Sequence, residues 1–494
     1  MDAEKSPCKT KEPVVSPSQD TGSSPDASTT DGKSPPPLLA KLFAVFLISC
    51  ISFGSHWSSG VTGAMKSTIK KQMHVSNTQF SLLEASEDFM ATVLLLISGI
   101  VTDRVGGAEM IVYGNIVYTI GSILVAAATT VAQYKIFSSW FPPSNGFAST
   151  LGFELAIGKI GGFVGKSTAN VIAKNTGNFA WVFWTSVFMN LFTNAATAIF
   201  YFFTRYCHKH YTGRQDSATK EVLTEKNKKF EFQKIFQLPW MFWAVMAFSL
   251  FQTSTALVFS QNATELAEKR FDVDSITAGW YSSLSQYAGF FLVPCLGVFI
   301  DVLGNRASVL CVCGLGTFLS MALVNFANTK GGTAASFGIY AIAVSLGPTS
   351  IIDSVRTTLW NQSVFGSAYA LKVTMNNAMN IIVRIITGAL QDADNDSYHR
   401  VVRVYLFLAA ASVVVGLAIL VGSLTNESLK PLQWTRKRRM TVGAEHIENQ
   451  REWHLVTCYH RSRVISLCCF GALIMLVLGG WVAYVWGAVT GNNS

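Results

Sequence analysis

Residues 99–106 read GIVTDRVG and residues 297–304 read GVFIDVLG. Both follow G-x-x-x-D-x-x-G, and 297 − 99 places the second copy 198 residues after the first. Each copy closes an apolar run. A glycine there lets the end of one helix approach its neighbour closely. An aspartate there can accept hydrogen bonds from a helix N-terminus. One copy is no more than a tight turn; two in corresponding positions indicate an internal duplication. Gly99, Asp103, Arg104 and Gly106 in the first copy, and Gly297, Asp301, Gly304 and Arg306 in the second, are therefore candidates for a structural or gating motif.

Composition sets the environment of that duplication. Of 494 residues, 50% are hydrophobic and 14% charged, whereas soluble domains carry about 25% charged residues. A bilayer core of about 30 Å takes about 20 apolar residues per helix. Runs of that kind start near Leu38, Phe80, Met110, Phe147, Phe179, Pro239, Ile276, Ala307, Ala334, Ser363, Val401 and Val464. The expected class is an all-α membrane protein. No Ser/His/Asp, Cys/His or metal constellation gathers at one membrane depth, so an enzyme is not expected, nor a cofactor or metal. Most of the nine cysteines lie inside apolar runs and act as small hydrophobes. Residues 1–37 hold seven of the thirteen prolines and almost nothing apolar, which predicts a disordered cytoplasmic tail.

Lys and Arg collect on the cytoplasmic side of membrane proteins. Segments 205–234 and 430–463 carry eight each, while 262–274 and 392–396 are acidic. The basic segments should therefore be cytoplasmic and the acidic ones exoplasmic. Lys66, Lys70 and Lys71 then fall on the outer side, against the rule. From 205 onward the helix count agrees with these sides. Before it, five helices from a cytoplasmic N-terminus would put the 205–234 segment outside.

The repeat supplies a reason. Trp140…Gly146-Phe-Ala148 pairs with Trp360…Gly366-Ser-Ala368 at an offset of 366 − 146 = 220, which exceeds the motif offset by 220 − 198 = 22 residues. That is one membrane helix. The stretch LVAAATTVAQYKIFSSWFPPSNG, residues 124–146, then reads as a third helix joined to the last turns of a fourth. The chain is expected to be a splice form or gene model lacking an in-frame segment near Thr130; genomic DNA that codes continuously there, with no skippable exon, contradicts this. The expected layout is a first bundle over 38–204, one helix short, a basic cytoplasmic linker over 205–237, and a second bundle over 238–424. A basic cytoplasmic segment at 425–463 and an extra transmembrane helix at 464–487 complete it.

Charged side chains inside membrane helices are costly and face a cavity or a partner. Lys372, Asn376, Asn380 and Arg384, with Asn377 beside them, form a polar stripe at i+4 steps. It reads as cavity lining or as helix–helix hydrogen bonding. Glu154, Lys159 and Lys166 share the run from Phe147, with Lys159 near mid-membrane as a partner for a substrate carboxylate. Glu84, Glu87 and Asp88 lie on one face, either in a cavity or as dipole-matched acids of a first turn. His56 and Gln286 are weaker candidates. Cations on two helices facing these acids would suit a ligand with both signs. The Gly347-Pro348 pair should kink its helix.

The G-x-x-x-D-R-x-G loop, its echo and the basic central linker resemble the major facilitator superfamily. Phe53-Gly54-Ser55, Phe80-Ser-Leu82-Leu83-x-Ala85, Asp103-Arg104-Val105, Gly152-Phe-Glu-Leu155, Lys159-Ile160-Gly161, Gly366-Ser-Ala368-Tyr369 and Asn376-Asn377 resemble, in particular, that superfamily's lysosomal dipeptide carriers. Val131-Ala132-Gln133 followed by Ser139-Trp140-Phe141 looks like the end of their fourth helix. The likeness runs from about residue 40 to 424 and leaves out the helix at 464–487. It implies two pseudo-symmetric bundles and a secondary transporter that works by alternating access. It also implies small zwitterionic solutes, dipeptides above all, and a lysosomal or vacuolar membrane. The partners implied are short peptides, the lipid bilayer and an accessory membrane subunit, with no nucleic acid. There are two departures. The resemblance implies an arginine where this chain has Lys159, and an acidic residue on a fourth helix that is absent here. A carrier of a sugar or organic anion, or a non-transporting receptor or scaffold, remains the alternative.

Overall fold

A computed structural model of the protein describes residues 36–105, 108–110, 141, 146–211, 214–215, 222–223, 238–327, 329–359, 364–443, 445 and 459–491. Its helices are α1 (Leu38–Ala64), the short α2 (Lys66–Met73), α3 (Asn77–Val105), α4 (Phe147–Thr176) and α5 (Ala180–His210). The second series is α6 (Trp240–Phe271), α7 (Ser275–Leu303), α8 (Arg306–Phe326), α9 (Lys330–Thr358), α10 (Phe365–Ala393) and α11 (His399–Thr425), followed by α12 (Tyr459–Gly491). Arg214–Gln215 and Val222–Leu223 form a two-stranded antiparallel pair.

Among the described residues, nine helices are long and apolar enough to cross a membrane, and α3, bent by 47°, adds a tenth as a broken span. α10 has the length of a span but carries the polar stripe, and it is tolerated because its neighbours cover most of it. Pro348 lies inside α9, where the missing N–H interrupts the helical ladder. The tail 1–35 and most of the 205–237 linker lie outside the described residues, as does the expected junction at 124–146 apart from Phe141 and Gly146.

Two antiparallel helix pairs join the first series to the second, α3 with α10 and α4 with α7, and the duplicated motif sits at one end of both. Asp103, near the end of α3, accepts from Gly366 N at 3.2 Å, Ser367 N at 2.8 Å and Ser367 Oγ at 2.6 Å at the start of α10. Asp301, near the end of α7, accepts from Ala148 N at 3.3 Å, Ser149 N at 2.7 Å and Ser149 Oγ at 2.5 Å at the start of α4. Each aspartate thus caps a helix of the opposite series. The motif glycines allow the approach: a Cβ on Gly99 would lie 3.2 Å from Gly366 O, and one on Gly297 would lie 2.5 Å from Ala148 O.

These contacts correct the repeat register. Ala148 and Ser149 correspond to Gly366 and Ser367, an offset of 366 − 148 = 218 rather than 220, and the shortfall becomes 218 − 198 = 20 residues. The Gly146-to-Gly366 pairing read from sequence fails because a G-x-A match carries less information than the backbone N–H groups that the aspartates select. Phe147 and Phe365 also correspond, and their rings meet edge to face at 6.0 Å. The end of α3 and the start of α4 are therefore at the same end of the molecule as the start of α10. That places the α5 end, which leads into the 205–237 stretch, beside the ends of α7, α9 and α11.

α12 lies across the seam between α3 and α10. Phe89 of α3 stacks on Tyr484 at 4.5 Å and meets Trp481 at 5.8 Å. Gln79 Nε2 donates to Gly491 O at 2.9 Å, and Gly480 rides against the Ala378 backbone of α10.

Candidate functional site

Between the two helical series lies a cavity of about 370 Å³. α1 contributes Ser52 and His56, α4 contributes Lys159 and Lys166, and α10 contributes Tyr369 and Lys372. α6 adds Gln252, Ser260 and Gln261, α7 adds Gln286 and α9 adds Tyr340. Lys159 lies along Gly289 of α7, whose missing side chain leaves it room. Gly158 does the same for His56, since a Cβ there would lie 2.4 Å from the imidazole Cδ2. Lys166 Nζ donates to Ser260 O at 2.7 Å and Oγ at 3.0 Å, so it bridges α4 to α6. Lys372 reaches over the Tyr369 ring at 5.6 Å.

Among the expected binding residues, the cavity takes in Lys159, Lys166, Lys372, His56 and Gln286. The others are placed elsewhere, and each has a packing reason. Asn376 Nδ2 donates to Ser249 Oγ of α6 at 3.1 Å. Asn377, with its amide nitrogen toward α3, donates to Asp88 Oδ1 at 3.3 Å. Asn380 is buried one turn further along. Arg384 pairs with Asp88 Oδ2 at 2.7 Å, donates to Gln261 Oε1 at 3.1 Å and also donates to the Glu84 carbonyl. Below Lys372, then, the stripe is a seam of α10 with α3 and α6. Asp88 faces that seam, and neither it nor Glu84 is among the cavity-lining residues. Glu154 is buried between α4 and α1, where it accepts from the Ser52 hydroxyl. Of the cations expected to face the helix-two acids, Arg384 does so, pairing with Asp88, whereas Lys159 and Lys372 line the cavity, where no described lining residue is acidic.

Sequence reasoning passed over Gln252, Ser260, Gln261 and Tyr340. The signal was a weak one: positions 252, 256, 260 and 253, 257, 261 repeat at i+4 on α6, with neutral polar groups among small or apolar ones.

Contacts between helices gather at both ends of the molecule. At the basic end, Arg356 of α9 lies over the rings of Phe147 at 5.9 Å and Phe365 at 5.2 Å. Arg306 forms an ion pair with Asp353, both fully buried, and so ties α8 to α9. Gly106 lies outside the described residues. At the acidic end, Lys66 pairs with Glu265 at 3.0 Å, Lys70 with Glu265 at 2.8 Å and Asp396 at 2.9 Å, and Lys269 with Asp396 at 2.7 Å. Two of the lysines that broke the charge rule are thus counter-ions to the acidic segments of the second series. Asp392 of α10 caps the start of α3, accepting from Thr78 N at 2.8 Å and Asn77 N at 2.9 Å.

A polar cavity between two duplicated helical series, with latches at both ends of the molecule, is the geometry of a carrier. A family profile described as Major Facilitator Superfamily matches residues 45–383. The chain belongs to the major facilitator superfamily. Its fold is the all-α membrane fold of that superfamily, with α12 in addition. It is a multi-pass secondary transporter of a small molecule, not an enzyme. Lysosomal dipeptide transporter MFSD1 from Homo sapiens is 21% identical over 444 residues, covering 84% of this chain and 92% of that protein. The Bos taurus protein of the same name is 21% identical over 443 residues, with the same coverage. Among solved structures, the proton:xylose symporter XylE bound to 6-bromo-6-deoxy-D-glucose matches with a TM-score of 0.56 at 12% identity, over 80% of this chain and 98% of that one.

Proposed function

We propose that this superfamily member carries small carboxylate-bearing solutes, short peptides first among them, across a lysosomal or vacuolar membrane by alternating access. The observation that carries the reading is the set of lysines on the cavity wall, with Lys159 from one series and Lys372 from the other. A cation in a low-dielectric wall is a strong partner for a carboxylate, and the relatives with 84% coverage of this chain are dipeptide transporters. The bundles over 38–204 and 238–424 rock about the cavity, with the basic linker 205–237 and the segment 425–463 on the cytoplasmic face and the tail 1–37 beside them. Asp103 and Asp301, with Gly99, Gly297 and Gly304, latch the cytoplasmic end. The 20-residue shortfall before α4 reflects an omitted in-frame segment.

The test is uptake of labelled dipeptides by liposomes holding the full chain. Uptake above protein-free liposomes, reduced at least about tenfold by Lys159→Gln, is expected, since losing one charge-assisted contact costs about 1.5–3 kcal/mol. Absence of uptake of every dipeptide in a broad panel contradicts the peptide reading. A second reading, an organic anion, is favoured by one observation: among the described residues no carboxylate lines the cavity.

A further inference from the structure

Three lysines and a histidine line the cavity, and none of the described lining residues is acidic. Between Glu109 and Glu154 the chain has no Asp or Glu, so the stretch entering α4 has none to offer. Several acids within the described helices are engaged away from the cavity, while Glu84 is buried near Lys166 without lining the cavity. Asp88 is held by Arg384, Glu265 by Lys66 and Lys70, and Asp353 by Arg306, while Asp103 and Asp301 cap helix N-termini. Glu154 is turned to the Ser52 hydroxyl.

Lys159 and Lys372 stand on opposite walls with no carboxylate partner among the described residues, and Lys166 rests on a serine. Cations buried in a membrane protein without a counter-ion are costly. Closing an empty cavity brings the cationic walls of the two series together, like charge facing like charge. A zwitterion relieves this only in part: its carboxylate satisfies one lysine, while its ammonium adds a further cation with no acid among the described lining residues to receive it. A solute with two negative groups can satisfy both walls at once and makes closure favourable only when it is present.

Resting on the reading of this cavity as the transport site, we propose that the cargo is a net anion with at least two carboxylates, an acidic dipeptide or a small dicarboxylate, bridged between Lys159 and Lys372. Lys166 supplies a third positive charge to the same field.

Calorimetric binding to the full chain in nanodiscs, with Glu-Glu, Ala-Ala, Lys-Lys and glutarate as probes, tests this. Glu-Glu is expected to bind at least about tenfold more tightly than Ala-Ala, and Lys-Lys not measurably. Lys372→Gln should weaken Glu-Glu at least about tenfold, while Lys372→Arg keeps most of the affinity; thermal unfolding of both variants shows that they are folded. Glutarate binding alongside Glu-Glu supports the inference and points to dicarboxylates; Glu-Glu without glutarate supports it and points to peptides. Ala-Ala or Lys-Lys binding as tightly as Glu-Glu overturns the inference and leaves the carrier reading standing. If none of the four binds and no dipeptide is taken up, the peptide reading falls, and this inference with it.

Discussion

At the residue scale, the ion cluster at the acidic end decides how the carrier behaves in an acidic compartment. Burial by itself would lower the Lys70 pKa, but Glu265 and Asp396 outweigh it and raise it above 10.5. Its contribution is complete below the unfolded value and is lost only as pH rises through the raised one. Burial would raise the Asp396 carboxyl, but hydrogen bonds from Lys269, Lys70 and Asn77 hold it below 3.8. That contribution is present above the unfolded value and is lost as pH falls through the lower folded one. From about pH 5 to about pH 8 neither group titrates, so the latch is indifferent to acidification. The thermal-stability difference between the wild type and Lys70→Met should stay constant across that window. A difference that halves by about pH 5 contradicts the assignment.

At the element scale, α3 and α10 hold each other reciprocally. Asp103 near the end of α3 caps the start of α10, and Asp392 near the end of α10 caps the start of α3. In the α4–α7 pair Asp301 latches one end, and at the other Asn170 Nδ2 donates to Ser275 O at 3.0 Å. Losing an acidic cap costs about 1 kcal/mol, and up to about 2. Asp103→Ala should loosen the basic end, and Asp392→Ala the acidic end, each with a stability loss of that size. Side-specific maleimide labelling of a cysteine at Ser59, which lines the cavity, reads which end opens. Increased labelling from the same side in both variants would contradict the arrangement.

Elements also show what the sequence discloses. Lys159, Lys372 and His56 stand out because charged or titratable groups are rare in apolar runs, and all three reach the cavity. The Asn376–Arg384 stripe is equally visible, but periodicity names a face without naming the helix that covers it, and α3 and α6 do so here. Gln252, Ser260 and Tyr340 leave no comparable trace, since neutral polar groups occur throughout membrane helices as interhelical hydrogen-bonding partners. The motif aspartates were legible as helix caps. That each caps the opposite series was not, because a local pattern carries no information on distant pairing.

At the scale of the whole molecule, duplication explains both the cavity and the aspartate latches. Equivalent elements from the two series meet twice, as Asp103 with α10 and Asp301 with α4, and the rings of Phe147 and Phe365 touch between them. α12 spans α3 and α10 and reaches α6, where Trp243 Nε1 donates to Ser466 Oγ at 3.2 Å, so it rides on both moving parts. Packing in the membrane gains little from apolar burial between helices, and polar latches therefore set which end is closed. The central claim is that the two series rock about the lysine-lined cavity, one end opening as the other shuts. Spin-label distances measure this directly in the full chain, with one pair at Gln72 and His399 on the acidic end and another at Lys209 and Thr425 on the basic end. Adding a transported solute should lengthen one distance while shortening the other; both distances unchanged, or both moving in the same direction, would contradict it.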